Sequence, residues 1–215
     1  MTYLQILNKV LVKLREDQVA AINSTEYSTM LGDFINQVKS EIEDAWNWSA
    51  LRTTVQLTTV SGTSRYTLTG AGSNFRVLDV IHVTNEYEMK PVSSKWLDLV
   101  FTSNSDSGDP VYYGFNGTDS NGDPYVDVWP VPSASGDLIN FNMIVKQDDL
   151  SATTDVPLIP AMPLILGTYA LAVSERGEDV GIGYNEADEK YRRSLGDAIA
   201  FDMALFTDEV TAEVV

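Results

Sequence analysis

Few residues in this chain could do chemistry, and their spacing serves catalysis poorly. There is one histidine, His82, and no cysteine. Thiol catalysis, disulfides and cysteine-based zinc sites are excluded, and any Ser-His-Asp triad would have only His82 to use. His82 sits in an apolar run, 77–84, with nothing beside it in sequence to act with it, and it reads as a hydrogen-bonded structural histidine. Acids cluster at Glu41, Glu43 and Asp44, and again at Asp148 and Asp149. Glycoside cleavage needs two carboxylates facing each other across a sugar, one of them in an apolar pocket. The first cluster is expected on a helix surface and the second in a loop, so neither supplies that geometry. Asp119-Ser120-Asn121-Gly122-Asp123 opens like a calcium loop. Its sixth position is Pro124, where the sharp turn needs glycine, and its twelfth is Pro130, where a bidentate glutamate belongs. A polar hairpin turn is expected instead. Gly181-Ile182-Gly183 lacks the preceding strand and the third glycine of a dinucleotide loop. The expectation is a non-enzyme with no metal, no cofactor and no catalytic residue.

Aromatic side chains are better placed. Tyr112, Tyr113, Phe115, Tyr125 and Trp129 fall in two strand-like runs. Cross-strand packing, a subunit interface and a sugar-stacking face are all open to them. The last would make the chain a carbohydrate-binding β module, the alternative to the reading reached below.

The elements that position these residues follow from hydrophobic periodicity. The stretch 160–179 is the organising one. Met162, Ile165, Leu166, Tyr169, Ala170 and Val173 share a helical face, and Leu164 and Leu171 lie opposite. A helix apolar nearly all round is buried on several sides. Pro160 and Pro163 are tolerated in its first turn, and Gly177 is a left-handed stop. Residues 2–20 predict a first helix with Thr2 as N-cap and a stripe of Tyr3, Ile6, Leu7, Val10, Leu11 and Leu14. A second helix is predicted from about Ser28 to Trp46 or Trp48. A last one runs from about Tyr184 to Phe206, with Tyr191, Leu195, Ile199, Met203 and Phe206 on its stripe. Between them lie a β-branched, alternating run at 53–60, a short return strand at 65–68, a strand at 77–84 that is apolar on both faces and expected to be central, and strand candidates at 110–115, 125–129 and 138–145, with one short helix at 95–101. The fold expected is α+β: a four-helix bundle formed by both chain ends, 1–50 and 158–206, with a mainly antiparallel β insertion at 51–147. Residues 207–215 are acidic without a period and are expected to form a flexible C-terminal arm.

Composition narrows the class of partner. Of 215 residues, Lys and Arg number 14 and Asp and Glu 31, for a net charge of −17. Gripping DNA needs clustered Lys and Arg, so a DNA-binding groove is excluded, whereas a surface past which DNA slides is compatible. The N-terminal residues lack a signal-peptide pattern, because Lys9, Lys13 and Arg15 interrupt a periodic apolar stripe. No apolar run reaches the roughly 20 residues of a membrane span.

Several short motifs occur together in order. Trp46-Asn47-Trp48 closes a helix and is followed by Tyr66-Thr67-Leu68 and Phe75-Arg76-Val77-Leu78. Gly108-Asp109-Pro110-Val111-Tyr112-Tyr113 and Val128-Trp129-Pro130-Val131-Pro132 come next. Pro157-Leu158-Ile159-Pro160 then precedes Leu166-Gly167-Thr168-Tyr169-Ala170-Leu171-Ala172. This set resembles the pattern of tailed-phage head-to-tail adaptors, of the podophage portal-bound or tail tubular protein A type, over nearly the whole chain. Thr69 stands where that family often has proline, and Ser49 where alanine is usual. The resemblance implies a structural virion protein made in the host cytoplasm and placed at the head–tail interface. It implies a homo-oligomeric ring, commonly dodecameric, between the portal protein and a tail or nozzle protein, extending a channel through which DNA passes unbound. On that view Phe206, Thr207, Asp208, Glu209, Val210, Val214 and Val215 belong to a portal-docking arm. Tyr112, Tyr113, Phe115, Tyr125 and Trp129 become subunit or tail contacts, and Asp188, Glu189 and Asp197 face the channel.

Overall fold

The computed structural model describes residues 1–103, 106–177 and 183–205. In chain order the elements are α1 (Tyr3–Lys13), α2 (Glu26–Ala45), β1 (Arg52–Thr58), β2 (Arg65–Thr67), β3 (Phe75–His82), β4 (Tyr87–Glu88), β5 (Lys90–Pro91) and α3 (Ser94–Ser103). They continue with β6 (Ser107–Gly108), β7 (Tyr112–Thr118), β8 (Pro124–Trp129), β9 (Val131–Pro132), β10 (Leu138–Val145), α4 (Ala161–Arg176) and α5 (Tyr184–Met203). The chain divides into two compact units, one of Met1–Leu51 with Gln147–Val215 and one of Arg52–Lys146.

In the first unit, α1 starts where a capping box starts it. Thr2 Oγ1 accepts from the Gln5 amide at 3.3 Å, and Gln5 Oε1 accepts from the Thr2 amide at 3.0 Å. The helix ends at Lys13, well short of residue 20, because Arg15 turns left-handed at φ 61°. Its buried stripe is Tyr3, Ile6, Leu7, Val10 and Leu11. Thr25 is the N-cap of α2, with its own capping box to Ser28. Helix α4 carries its prolines and its Gly177 stop (φ 60°) as expected and is buried on several sides. Its Gly167 is needed for close approach, since a Cβ there would sit 2.6 Å from Val38 Cγ1 and 3.0 Å from Tyr191 Cε2.

The expected four-helix bundle is corrected by the structure. The class is α+β, but the five α-helices among the described residues lie at both ends and in the middle and form no clear terminal bundle. Helix α3 belongs to the strand-rich unit. Of the other four, α1, α2 and α5 gather on α4, with only a smaller contact between α1 and α2. The reason is compositional. An all-round apolar α4 can serve as a hub, while α5 has only a narrow inward stripe. That stripe runs through Ala187, Tyr191, Ala198 and Asp202 rather than through Met203, which is 53% exposed.

In the second unit, two four-stranded sheets with orders β1-β10-β3-β4 and β2-β8-β7-β5 share one core. Leu57, Val80, Ile139, Phe141 and Met143 come from the first sheet, and Tyr113, Val126 and Val128 from the second. Each such side chain contributes roughly 1.5–3 kcal/mol by leaving water. Pairing is antiparallel except for the short β5–β7 and β6–β9 ladders. Strand β3, apolar on both faces by sequence, is interior. Asp79 pairs with Asn142 and Val77 with Met143, so Leu78 is an extra residue in a bulge and stands 39% exposed.

Candidate functional site

The five aromatics that share two runs in sequence do not form one patch. Alternation along β7 sends Tyr113, 6% exposed, into the core. There it meets Phe141 edge-on at 5.8 Å, and Phe115 packs on Phe75 at 5.0 Å. Tyr112 and Trp129 are register partners on the opposite face, 5.9 Å apart. Trp96 of α3, which sequence reading did not single out, joins them at 5.2 Å and 5.5 Å. Helix α3 comes this close because β7 has Gly114, where a Cβ would sit 2.7 Å from Leu97 and 2.8 Å from the Val92 carbonyl oxygen. Tyr125 lies apart under the Arg65 guanidinium, 6.0 Å from its ring centre. The structure therefore builds a half-buried trio of Trp96, Tyr112 and Trp129.

The acids are distributed by function as supports. Glu43, expected on a helix surface, is 2% exposed, and its partner Lys39 is 1% exposed. Lys39 Nζ donates to both Glu43 oxygens at 3.3 Å and to the Gln147 carbonyl at 2.6 Å. The i, i+4 spacing was legible, but the burial was not. Asp127 is buried, with both oxygens held by Arg65 at 2.7 Å and one by Asn116 at 3.1 Å. That hydrogen bond and the adjacent charge push the Arg65 guanidinium further toward its charged form. Asp119 Oδ1 accepts from the Asn121 and Asp123 amides at 2.8 and 2.9 Å, closing the β7–β8 hairpin turn expected there. Asp123 in turn accepts from Gly70 and Gly72. Among the described residues no group of three His, Asp or Glu side chains could hold a metal ion. His82 is fully buried, accepts from the Asn85 amide at 3.3 Å through Nδ1 and stacks on Tyr87 at 4.9 Å.

The paired tryptophans after α2 are structural in the same sense. Trp48 donates from Nε1 to the Ile42 carbonyl at 2.7 Å, and Trp46 donates to Asp202 at 3.0 Å. Asp202 also accepts from Ser49 N at 3.1 Å and Ser49 Oγ at 2.6 Å. Tyr66 closes its own turn, accepting from Val60 N at 3.0 Å and donating to the Thr63 carbonyl at 2.8 Å. Trp46, Trp48 and Tyr66 thus fix helix ends and a turn. The family model of the SU10 adaptor protein matches residues 1–211.

The chain belongs to the SU10 adaptor protein family. It is a phage adaptor and a virion component. None of the curated proteins compared with it gives a match. On α5, Glu189 and Asp197 are exposed, and Asp188 is held by Arg192 at 2.7 Å, a contact that also favours the charged guanidinium. Glu186 pairs with Lys190 at 2.8 Å on the same helix. Of the expected docking arm, Phe206, Thr207, Asp208, Glu209, Val210, Val214 and Val215 lie outside the described residues. No helix among the described residues is long and apolar enough to cross a membrane.

Proposed function

We propose that this adaptor is a non-enzymatic head-to-tail connector of the podophage type: a ring, dodecameric by the resemblance, set between portal and tail. The observation that carries the reading is the adaptor-family match over residues 1–211. The charge supports it. With 31 acids against 14 bases, the protein surface repels phosphate, and a channel lined by Asp188, Glu189 and Asp197 lets DNA pass without adhering. The role is structural rather than catalytic, and the buried acids support it, since Glu43, Asp127 and Asp202 are each held by protein donors. Residues 206–215 dock on the portal in this reading, and Tyr112, Tyr125 and Trp129 meet a neighbour or the tail. As a sugar platform the aromatic trio is unsuited. Trp96 stands at 54° to Tyr112 and at 89° to Trp129, so the rings offer no coplanar stacking surface.

The test is negative-stain microscopy with mass photometry of the purified chain, alone and mixed with a portal ring from the same source. A ring capping the portal is expected. Deleting residues 207–215 should leave the fold intact and abolish attachment. A monodisperse monomer indifferent to the portal overturns the reading.

A further inference from the structure

The end of α5 is apolar wherever it faces outward. Ala200, Phe201, Met203, Ala204 and Leu205 are all exposed, with Phe201 at 75%, Met203 at 53% and Leu205 at 63%. Only Asp202 turns in, and its bonds to Trp46 and Ser49 pin this turn to the end of α2. The helix also lacks a basic residue in its last turn. Its negative pole, where the final carbonyls stand, therefore has no cation from that turn to meet it.

A surface of the opposite character lies on α1. Met1, Gln5, Lys9, Val12 and Lys13 recur down the outward side of that helix, away from its buried stripe, and line a shallow cleft of about 770 Å³. Val12 is 54% exposed and Met1 41%. Neither lysine has an ion-pair partner among the described residues. Lys13 is held by the face of Tyr169, with Nζ 5.9 Å from the ring centre. In a chain with only 14 basic residues, two lysines without an acidic partner among the described residues, beside an exposed apolar stripe, form a distinctive patch.

We propose that the last turn of α5 is a knob that seats in the α1 groove of a second copy of this chain. Apolar matches apolar, and the two lysines face the negative end of the helix. The occupant is a second copy because both matching surfaces belong to this chain, and the pin at Asp202 holds the knob at the end of its own α2. Knob and groove are different surfaces, so the contact is head-to-tail and repeats into a ring or a filament. The inference rests on the ring reading above and names the contact that would propagate it.

The absence of cysteine makes the test clean. Two variants of the whole chain are made, Gln18→Cys, at a residue that also lines the groove, and Ala204→Cys on the knob. They are mixed and treated with a bismaleimide cross-linker, both free and assembled on portal-bearing particles. A cross-linked Gln18→Cys–Ala204→Cys heterodimer is expected. It should disappear with Lys9→Glu/Lys13→Glu and persist with Lys9→Arg/Lys13→Arg. The doubly substituted chain should give a ladder that ends at the ring size. Rings without any heterodimer overturn the knob contact and leave the ring reading intact. A doubly substituted chain that links only to itself also overturns it. A heterodimer whose ladder stops at two keeps the contact and overturns the ring.

Discussion

Asp202, one residue from the end of α5, accepts the indole N–H of Trp46 at 3.0 Å across 156 positions of sequence. The same carboxylate takes the Ser49 amide and hydroxyl, so one buried acid joins the ends of α5 and α2. Removing it leaves up to three donors short of a partner, at about 1–3 kcal/mol for each that stays buried. Asp202→Ala is expected to destabilise the helical unit by on the order of 2–3 kcal/mol, and Asp202→Asn by less. Chemical denaturation followed by tryptophan fluorescence measures this. A loss well under 1 kcal/mol for the alanine variant would show that the latch carries no weight.

The Lys39–Glu43 pair is sealed from solvent, and there an unpartnered charge costs more than a pair is worth. Lys39→Met or Glu43→Leu alone is expected to cost about 3–5 kcal/mol, and the double replacement is expected to recover most of that loss. A double-mutant cycle on urea midpoints checks it, and additive losses would contradict it. The bond from Lys39 to the Gln147 carbonyl is lost wherever Lys39 is replaced, the double variant included, which limits the recovery.

Gly167→Ala opposes two effects. Helix propensity gains up to about 1 kcal/mol. Overpacking against Val38 and Tyr191 costs about 1–3 kcal/mol, because a Cβ would lie 2.6 Å from Val38 Cγ1. Net destabilisation is expected by thermal unfolding, with partial relief when Val38→Ala is added. A raised Tm for Gly167→Ala alone would mean that α2 and α5 both shift freely on α4.

Alkaline pH should loosen the helical unit. Burial, with Asp33, Asp149 and Asp155 nearby, pushes the Tyr3 hydroxyl up to about 12 from an ordinary value near 10. Above pH 10 the unfolded chain gives up this proton while the native chain keeps it, so stability is whole below about pH 10 and falls between about 10 and 12. Tyr27 and Tyr191 are raised in the same direction by burial. Tyr3→Phe is expected to flatten part of that decline in urea titrations run at successive pH values. An unchanged slope would show that the Tyr3 hydroxyl reaches water.

The sequence by itself determined what depends on neighbours along the chain. The capping of α1 by Thr2, the Gly177 stop, the all-round apolar α4 and the polar turn at 119–123 rest on local hydrogen bonding, backbone freedom and periodicity. The order of the strands' apolar runs was legible for the same reason, and the ordered motifs were sufficient to point to a phage adaptor. The tertiary structure decided what depends on distant partners. Helical spacing placed Glu43 among surface acids, but only packing made Lys39 and Glu43 an internal pair. Two strand runs held five aromatics. Alternation and the approach of α3 at Gly114 sent Tyr113 and Phe115 to the core and left Tyr112 and Trp129 to Trp96. The four terminal stripes suggested a closed bundle, yet α5 buries Asp202 and exposes Met203. Periodicity records how apolar each position is. The latch to Trp46 and Ser49, formed across the fold, outweighs it and sets which way the last turn of α5 faces.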